Sequence, residues 1–243
     1  MLKFILTCEH GGNKIPLEYR SFFMPHQEVL QSHKGYDIGA LELFGEMVKQ
    51  LKPDFSRYST ISRLLVELNR SIGNANLFSE ISKNLPQSHK DRIIELYYTP
   101  YRDAGENMML AWASKKHTIV HISVHSFTPI FEGEERKADI GLLYDPKRSS
   151  EKEFCKIWKD ELEEKNDNFK TRLNYPYQGT SDGFTTHLRK KFPDSQYVGI
   201  ELEVNQKYLE SSTSADTRKV ITSTIIGSLK STMQKWRSQV ETA

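Results

Sequence analysis

The 243 residues carry 34 Lys+Arg against 32 Asp+Glu, a formal net charge of +2, with 37% apolar and 11% aromatic residues. That length supports one sizeable core, read as a single domain over residues 1–243; the aromatic content excludes a disordered chain, and the interspersed, nearly balanced charges exclude a nucleic-acid-binding protein. Two cysteines exclude a disulfide framework, no window approaches the about 18 apolar residues of a membrane helix, and no signal-peptide pattern is present, so a cytoplasmic location is expected.

Residues 1–13, MLKFILTCEHGGN, begin as a short buried strand through Leu2, Phe4, Ile5 and Leu6, then turn polar at Thr7, Cys8, Glu9 and His10, with Gly11, Gly12 and Asn13 following. A strand ending in polar groups and a glycine turn is a common seat of chemistry in α/β proteins, because glycine lets a loop approach a ligand closely. Pro16 and Pro25 limit residues 15–34 to loop with short helix. HKGYDIGALELFGEMVKQL then places Ile38, Leu41, Phe44, Val48 and Leu51 at helical spacing, with Asp37 at the start, where a carboxylate can cap a helix. Residues 55–57 open a second buried segment.

SRLLVELNRS, residues 62–71, reads as a strand or its flank from Leu64, Leu65, Val66 and Leu68. Arg63 and Arg70 at its ends suit either ordinary snorkelling or a fixed fork for a carboxylate. Residues 73–85 read as a surface excursion, followed by helix interrupted at Pro100, with Tyr97, Tyr98 and Tyr101 in packing roles. HTIVHISVHSFTP contains a central strand over residues 118–124; its alternation puts His121, Ser123 and His125 on one face, with His125 at the strand end. A strand in KADIGLLY, a helix over residues 152–162, a polar loop NYPYQGTSDG over a pocket and a short helix THLRKKF follow. In QYVGIELEVNQKYL, Glu201, Glu203 and Asn205 alternate with Ile200, Leu202 and Val204, a pattern that also suits an edge strand with one wet face. A long helix from about residue 214 ends near Trp236. The βα alternation predicts a three-layer α/β/α fold around a central sheet.

Zinc takes imidazole and carboxylate ligands at about 2.0–2.2 Å and keeps one position open for water. His10 and His125 are candidate imidazoles on two strand ends, with Asp37, Glu9 or Asn13 as candidate third ligand. Glu203 or Glu201 is a candidate base for the activated water. HExxH, paired CxxC, GxGxxG and the phosphate-loop pattern are all absent, which argues against the common zinc-peptidase motif and a nucleotide-binding site, and Ser126 directly after His125 has poor geometry for a serine nucleophile and its base. Cys8 adjoins the site, but no neighbouring residue marks it as a low-pKa nucleophile.

Taken in order, CEHGGNKIP, HKGYDIGA, SRLLVELNR, HSFTP, GLLYD, NYPYQG and IELEVNQ resemble the N-formylglutamate amidohydrolase family, a group similar to zinc carboxypeptidases and aspartoacylases. The resemblance implies a phosphorylase/hydrolase-like α/β/α fold with a mixed sheet, and a zinc-dependent amidohydrolase acting on a small N-acyl amino acid that carries a carboxylate. It implies His10, Asp37 and His125 as metal ligands and Glu203, with Glu201 as fallback, as the base. Arg63, Asn69 and Arg70 would clamp the substrate carboxylate. Two departures accompany it: Glu67 stands where the family usually has Asp before LNR, and Asn205 where it usually has Arg. A carboxypeptidase-like metallopeptidase and a non-catalytic small-molecule binder are the alternatives.

Overall fold

The computed structural model describes residues 1–242. Eight strands form in chain order: β1 (Leu2–Cys8), β2 (Phe55–Tyr58), β3 (Thr118–Phe127), a small hairpin of β4 (Ile130–Phe131) and β5 (Glu134–Glu135), β6 (Ile140–Leu143), β7 (Thr171–Leu173) and β8 (Tyr197–Asn205). Six of them build one mixed sheet in the order β2-β1-β3-β8-β6-β7. The first four strands in that order are mutually parallel, β6 runs antiparallel to β8, and β7 is parallel to β6.

The period-2 alternation of β3 and β8 divides the molecule into two layers around the sheet. Val120, Ile122 and Val124, with Val198, Ile200, Leu202 and Val204, face α3 (Ala40–Leu51), α6 (Ser149–Lys165) and α8 (Ala215–Thr242). That face is dry: Leu43, Met47, Phe154 and Trp158 are all essentially inaccessible, and each such apolar side chain stabilises the fold by about 2 kcal/mol. The opposite layer contains α5 (Thr99–Ala113) and α7 (Phe184–Arg189), whose Tyr101, Met109, Phe184 and Leu188 join Ile5, Ile119 and Tyr197 in a second core. The shorter α1 (Arg20–Phe23), α2 (Gln27–Gln31) and α4 (Gln87–Ile93) lie in the segments that complete this layer.

Three expectations are corrected here. Residues 62–71 are not a strand: successive turns, Leu65 N–H to Ser62 O and Arg70 N–H to Glu67 O, satisfy the backbone locally. Leu65, Val66 and Leu68 still enter the core, so apolar content without a pairing partner gave a false strand signal. Pro100 does not interrupt its helix; it sits in the first turn of α5, where a missing N–H costs little, and a π-helical turn over Ile94–Tyr98 joins α4 to it. β8 is not an edge strand, because β3 and β6 flank it and every one of its residues is buried. Its acidic side chains therefore line an interior cavity and not a wet face.

Cys8 and Cys155 are buried free thiols. Burial pushes the Cys8 thiol well up, and the neighbouring Glu9 and Asp37 add to this, so it is held protonated and unsuited to nucleophilic attack. Among the described residues no helix is long and apolar enough to cross a membrane.

His121 is fully buried, with Nε2 2.8 Å from the Thr7 hydroxyl and Nδ1 2.8 Å from the Tyr197 hydroxyl. Burial lowers its pKa from 6.5 to about 4. The unfolded chain thus binds the extra proton first as pH falls, and native stability is lost below pH 6.5. Relative to His121→Gln, the wild type is expected to lose about 3 kcal/mol between pH 6.5 and 4. Denaturant titrations of both proteins across that window check this; parallel pH curves would remove His121 as the cause.

Candidate metal centre

Because β1, β3 and β8 are parallel, their carboxyl ends open on one edge of the sheet, where α/β proteins place their ligands. His10 lies just beyond β1, His125 near the end of β3, and Glu203 is the register partner of His125 on β8. Asp37 arrives from the loop before α3. Its side chain does not cap that helix, whose N-cap is Gly39 at φ 76°. A Cβ at Gly39 would strike Leu209, so glycine takes the cap position and the Asp37 carboxylate is free for the site. Asp37 Oδ2 is 3.3 Å from His10 Nδ1 and 2.8 Å from His125 Nδ1. One ligand atom from each of the three residues lies within 4.8 Å of the others, and all three side chains are buried. Two imidazoles and a carboxylate form the donor set that catalytic zinc accepts with a position to spare.

The outer nitrogens are also held. His10 Nε2 contacts the Glu67 carboxylate, which accepts from Arg63 Nε at 2.8 Å and Nη2 at 2.6 Å. His125 Nε2 lies 2.8 Å from Ser123 Oγ and 3.1 Å from Glu9 Oε2, while Glu9 Oε1 accepts from the Tyr101 hydroxyl at 2.9 Å. Each imidazole thus turns Nδ1 to Asp37 and Nε2 to a buried carboxylate, the arrangement that fixes ring orientation and raises ligand basicity. Of the three candidates for third ligand, Asp37 is the one brought to both rings. Glu9 sits behind His125, and Asn13 donates away from the cluster, to Leu30 O at 3.2 Å and Gln31 Oε1 at 2.9 Å. Glu67→Gln is expected to lower zinc affinity by about 10- to 100-fold, read by competition with a chromogenic chelator; an affinity equal to wild type would show that Glu67 serves Arg63 alone.

The electrostatics match a cation site. Burial opposes charge on His125, but Asp37 and Glu9 outweigh it and raise its pKa well above the usual imidazole range. Burial likewise works against ionised Asp37, Glu9 and Glu67, yet the histidines, Ser123 and Arg63 hold all three carboxyls below their ordinary range. Glu203 behaves oppositely. Burial, reinforced by Asp37 and Glu201 against the pull of His125, lifts it to about 8, and its Oε2 has no hydrogen-bond partner. A buried carboxylate oxygen without a partner, beside two imidazoles and a carboxylate, is a group that fits a bound cation and its water.

The cluster opens into a cavity of about 170 Å³ that Arg63, Asn69, Arg70, Glu201 and Glu203 also line. Arg63 is engaged internally, with Nη1 3.1 Å from Asp37 Oδ1 in addition to its Glu67 contacts. Arg70 gives Nη1 to the carbonyls of Asn69 and Asp182, 2.8 Å each. Asn69 Oδ1 accepts the Phe184 N–H at 2.6 Å, which fixes the orientation of its amide. The loop expected over a pocket contributes Tyr177, Gln178, Ser181 and Asp182 to the lining. Asn205, where a charge was expected, is spent on Ala138 O at 3.0 Å and the Lys207 N–H at 3.1 Å.

A mixed sheet flanked by helices, with a His–Asp–His cluster at its carboxyl edge that could hold a divalent ion, suits a metal-dependent hydrolase. Within that class the comparison of sequences is specific: the N-formylglutamate amidohydrolase profile matches residues 2–209. The chain belongs to the N-formylglutamate amidohydrolase family and is a metal-dependent amidohydrolase acting on a linear amide. Its fold is similar to that of a gene product of Agrobacterium tumefaciens, with a TM-score of 0.78 at 22% identity over 98% of this chain and 92% of that one. It is also similar to an N-formylglutamate amidohydrolase from Ralstonia eutropha, with a TM-score of 0.68 at 18% identity over 96% and 94% of the two chains. No curated protein sequence gives a match.

Proposed function

We propose that this single-domain protein is a cytoplasmic, zinc-dependent amidohydrolase that removes the acyl group of a small N-acyl amino acid, the class to which N-formylglutamate belongs. The observation that carries this reading is the convergence of His10, Asp37 and His125 beside a buried Glu203 oxygen with no partner. His10, Asp37 and His125 would hold the ion. When bound, zinc supplies a Lewis acid for the acyl carbonyl and lowers the pKa of the attacking water. Glu203 takes the water proton as the nucleophile adds, then delivers it to the leaving nitrogen, so the acid and the free amine depart. Arg70 and the Asn69 amide hold the substrate carboxylate. Arg63 acts one step back, neutralising Glu67 and orienting Asp37. The small cavity under the 174–183 loop favours an amino-acid-sized substrate over the extended chain that a carboxypeptidase-like enzyme needs. Two buried, unpaired thiols support a reducing compartment.

Metal analysis of the purified protein and hydrolysis of a panel of N-formyl amino acids, set against short peptides, test the reading. Stoichiometric zinc with turnover of formyl substrates is the expected result. An active preparation without metal, or turnover of peptides alone, would overturn it.

A further inference from the structure

The loop over residues 174–183 is tied down at two points, each by an arginine. Arg70 Nη1 reaches the Asp182 carbonyl at 2.8 Å, and Arg136 Nη1 donates to the Tyr177 hydroxyl at 3.0 Å. Arg70 belongs to the carboxylate clamp; Arg136 has no part in the chemistry assigned above. It lies half-buried between β5 and β6, with its guanidinium among three rings, 4.6 Å from the Phe131 centroid, 4.8 Å from that of Tyr177 and 5.7 Å from that of Phe127. Such contacts hold a cation in place without neutralising it. Its backbone is anchored as well, the Arg136 N–H donating to Pro129 O at 2.8 Å. Among the described residues no carboxylate forms an ion pair with Arg136, whereas Arg63 is paired with both Asp37 and Glu67. Tyr177 lines the cavity and is 43% exposed, which puts its ring at the mouth. Burial and Glu203 raise its pKa against the pull of Arg136 and Arg63, so the phenol is protonated at neutral pH. Its oxygen accepts from Arg136, which leaves its own O–H to be donated. The mouth is positive: burial lowers the His33 pKa, and the charges of Lys34, Arg136 and Arg63 lower it further. A guanidinium edge beside an O–H donor, in a positive field, is a receptor for a carboxylate.

We infer that Arg136 and the Tyr177 hydroxyl form a second carboxylate subsite, which binds the acid at the end of the substrate's side chain while Arg70 and Asn69 hold the α-carboxylate. The inference rests on the proposed N-acyl amino acid substrate and deepens it: a dicarboxylic amino acid is anchored at both tethers of the 174–183 loop. Neither residue exchanges a proton with the reacting atoms. Both act by fixing where the acyl group falls relative to the metal centre.

N-formylglutamate and N-formylglutamine share a shape and differ in side-chain charge, so they form the test pair. The zinc-loaded wild type is expected to show a kcat/KM at least about tenfold higher for the glutamate substrate. In Arg136→Gln that ratio is expected to fall at least about tenfold, chiefly through the KM of N-formylglutamate. Tyr177→Phe is expected to lower it by a smaller factor, and Arg136→Lys, which keeps the charge but not the planar fork, to retain part of it. A wild type indifferent to side-chain charge overturns the inference, and this needs no variant. So does a ratio unchanged in Arg136→Gln, or an equal loss on both substrates, which would mean that Arg136 only props Tyr177 over the cavity. Calorimetric binding of free glutamate and glutamine to the zinc-loaded wild type and Arg136→Gln proteins reads the same contact without turnover. Glutamate binding that weakens at least about tenfold in the variant, in a protein that cleaves no formyl amino acid, would support the subsite while overturning the proposed reaction. Formyl hydrolysis with a ratio untouched by the substitution would do the reverse.

Discussion

Glu203→Gln is expected to lower kcat/KM for a formyl amino acid by about 1,000-fold while leaving zinc stoichiometry intact. The amide keeps the shape of the side chain but cannot take a proton from water. Zinc retention is expected because Glu203 stands outside the His10, Asp37 and His125 set. The stability of the metal-free protein should move the other way. Glu203 titrates near 8 in the fold against 4.5 ordinarily, so the folded protein holds a proton that the unfolded chain has released. Its favourable contribution is complete below pH 4.5 and is lost as pH rises toward 8. Metal-free Glu203→Gln has no such loss, and its melting temperature should gain on the wild type across that range. Stoichiometric metal with unaltered turnover would remove Glu203 from the chemistry and return the role of base to Glu201 or to another group.

The parts of the site that strands carry were legible in the sequence. Residues 118–127 alternate so that His121, Ser123 and His125 share a face, and Glu201 and Glu203 join them through register. Strand parity also places Glu9. Thr7 is paired with Ser123, so Glu9, two residues on, falls on the same side and meets Ser123 and His125 from behind. Residue type alone offered Glu9 as a ligand; parity would have placed it as support for one. The parts carried by irregular backbone could not be read this way. Glu67, which backs His10, and Tyr177, which roofs the cavity, sit on segments with no repeating geometry. Asp37 was ambiguous for a related reason. A carboxylate near a helix start ordinarily caps it, and here the cap position falls to Gly39 because Leu209 packs against that turn. That close approach is a tertiary fact, invisible in the residues from 33 to 51.

Replacing Asp37 by Asn should remove both the metal site and much of the order around it. Its Oδ2 is the common neighbour of His10 Nδ1, His125 Nδ1 and the Ser126 N–H, and its Oδ1 is 3.1 Å from Arg63 Nη1. Removing the charge leaves cationic groups facing one another in a buried space, where breaking such a set costs about 3–5 kcal/mol. Part of that cost can be relieved in only one way. The histidines lose a carboxylate that helps hold their pKa up and release protons, so the penalty should be larger in acid than at pH 8. Zinc supplies a second, independent measurement. At about a hundredfold excess over its dissociation constant, an ion that binds only the native state adds about 2.7 kcal/mol of stability. Thermal unfolding with and without zinc should show that gain in the wild type and lose it in Asp37→Asn. An equal gain in both proteins would mean that the ion is held without Asp37, and the two imidazoles would then need a different third partner.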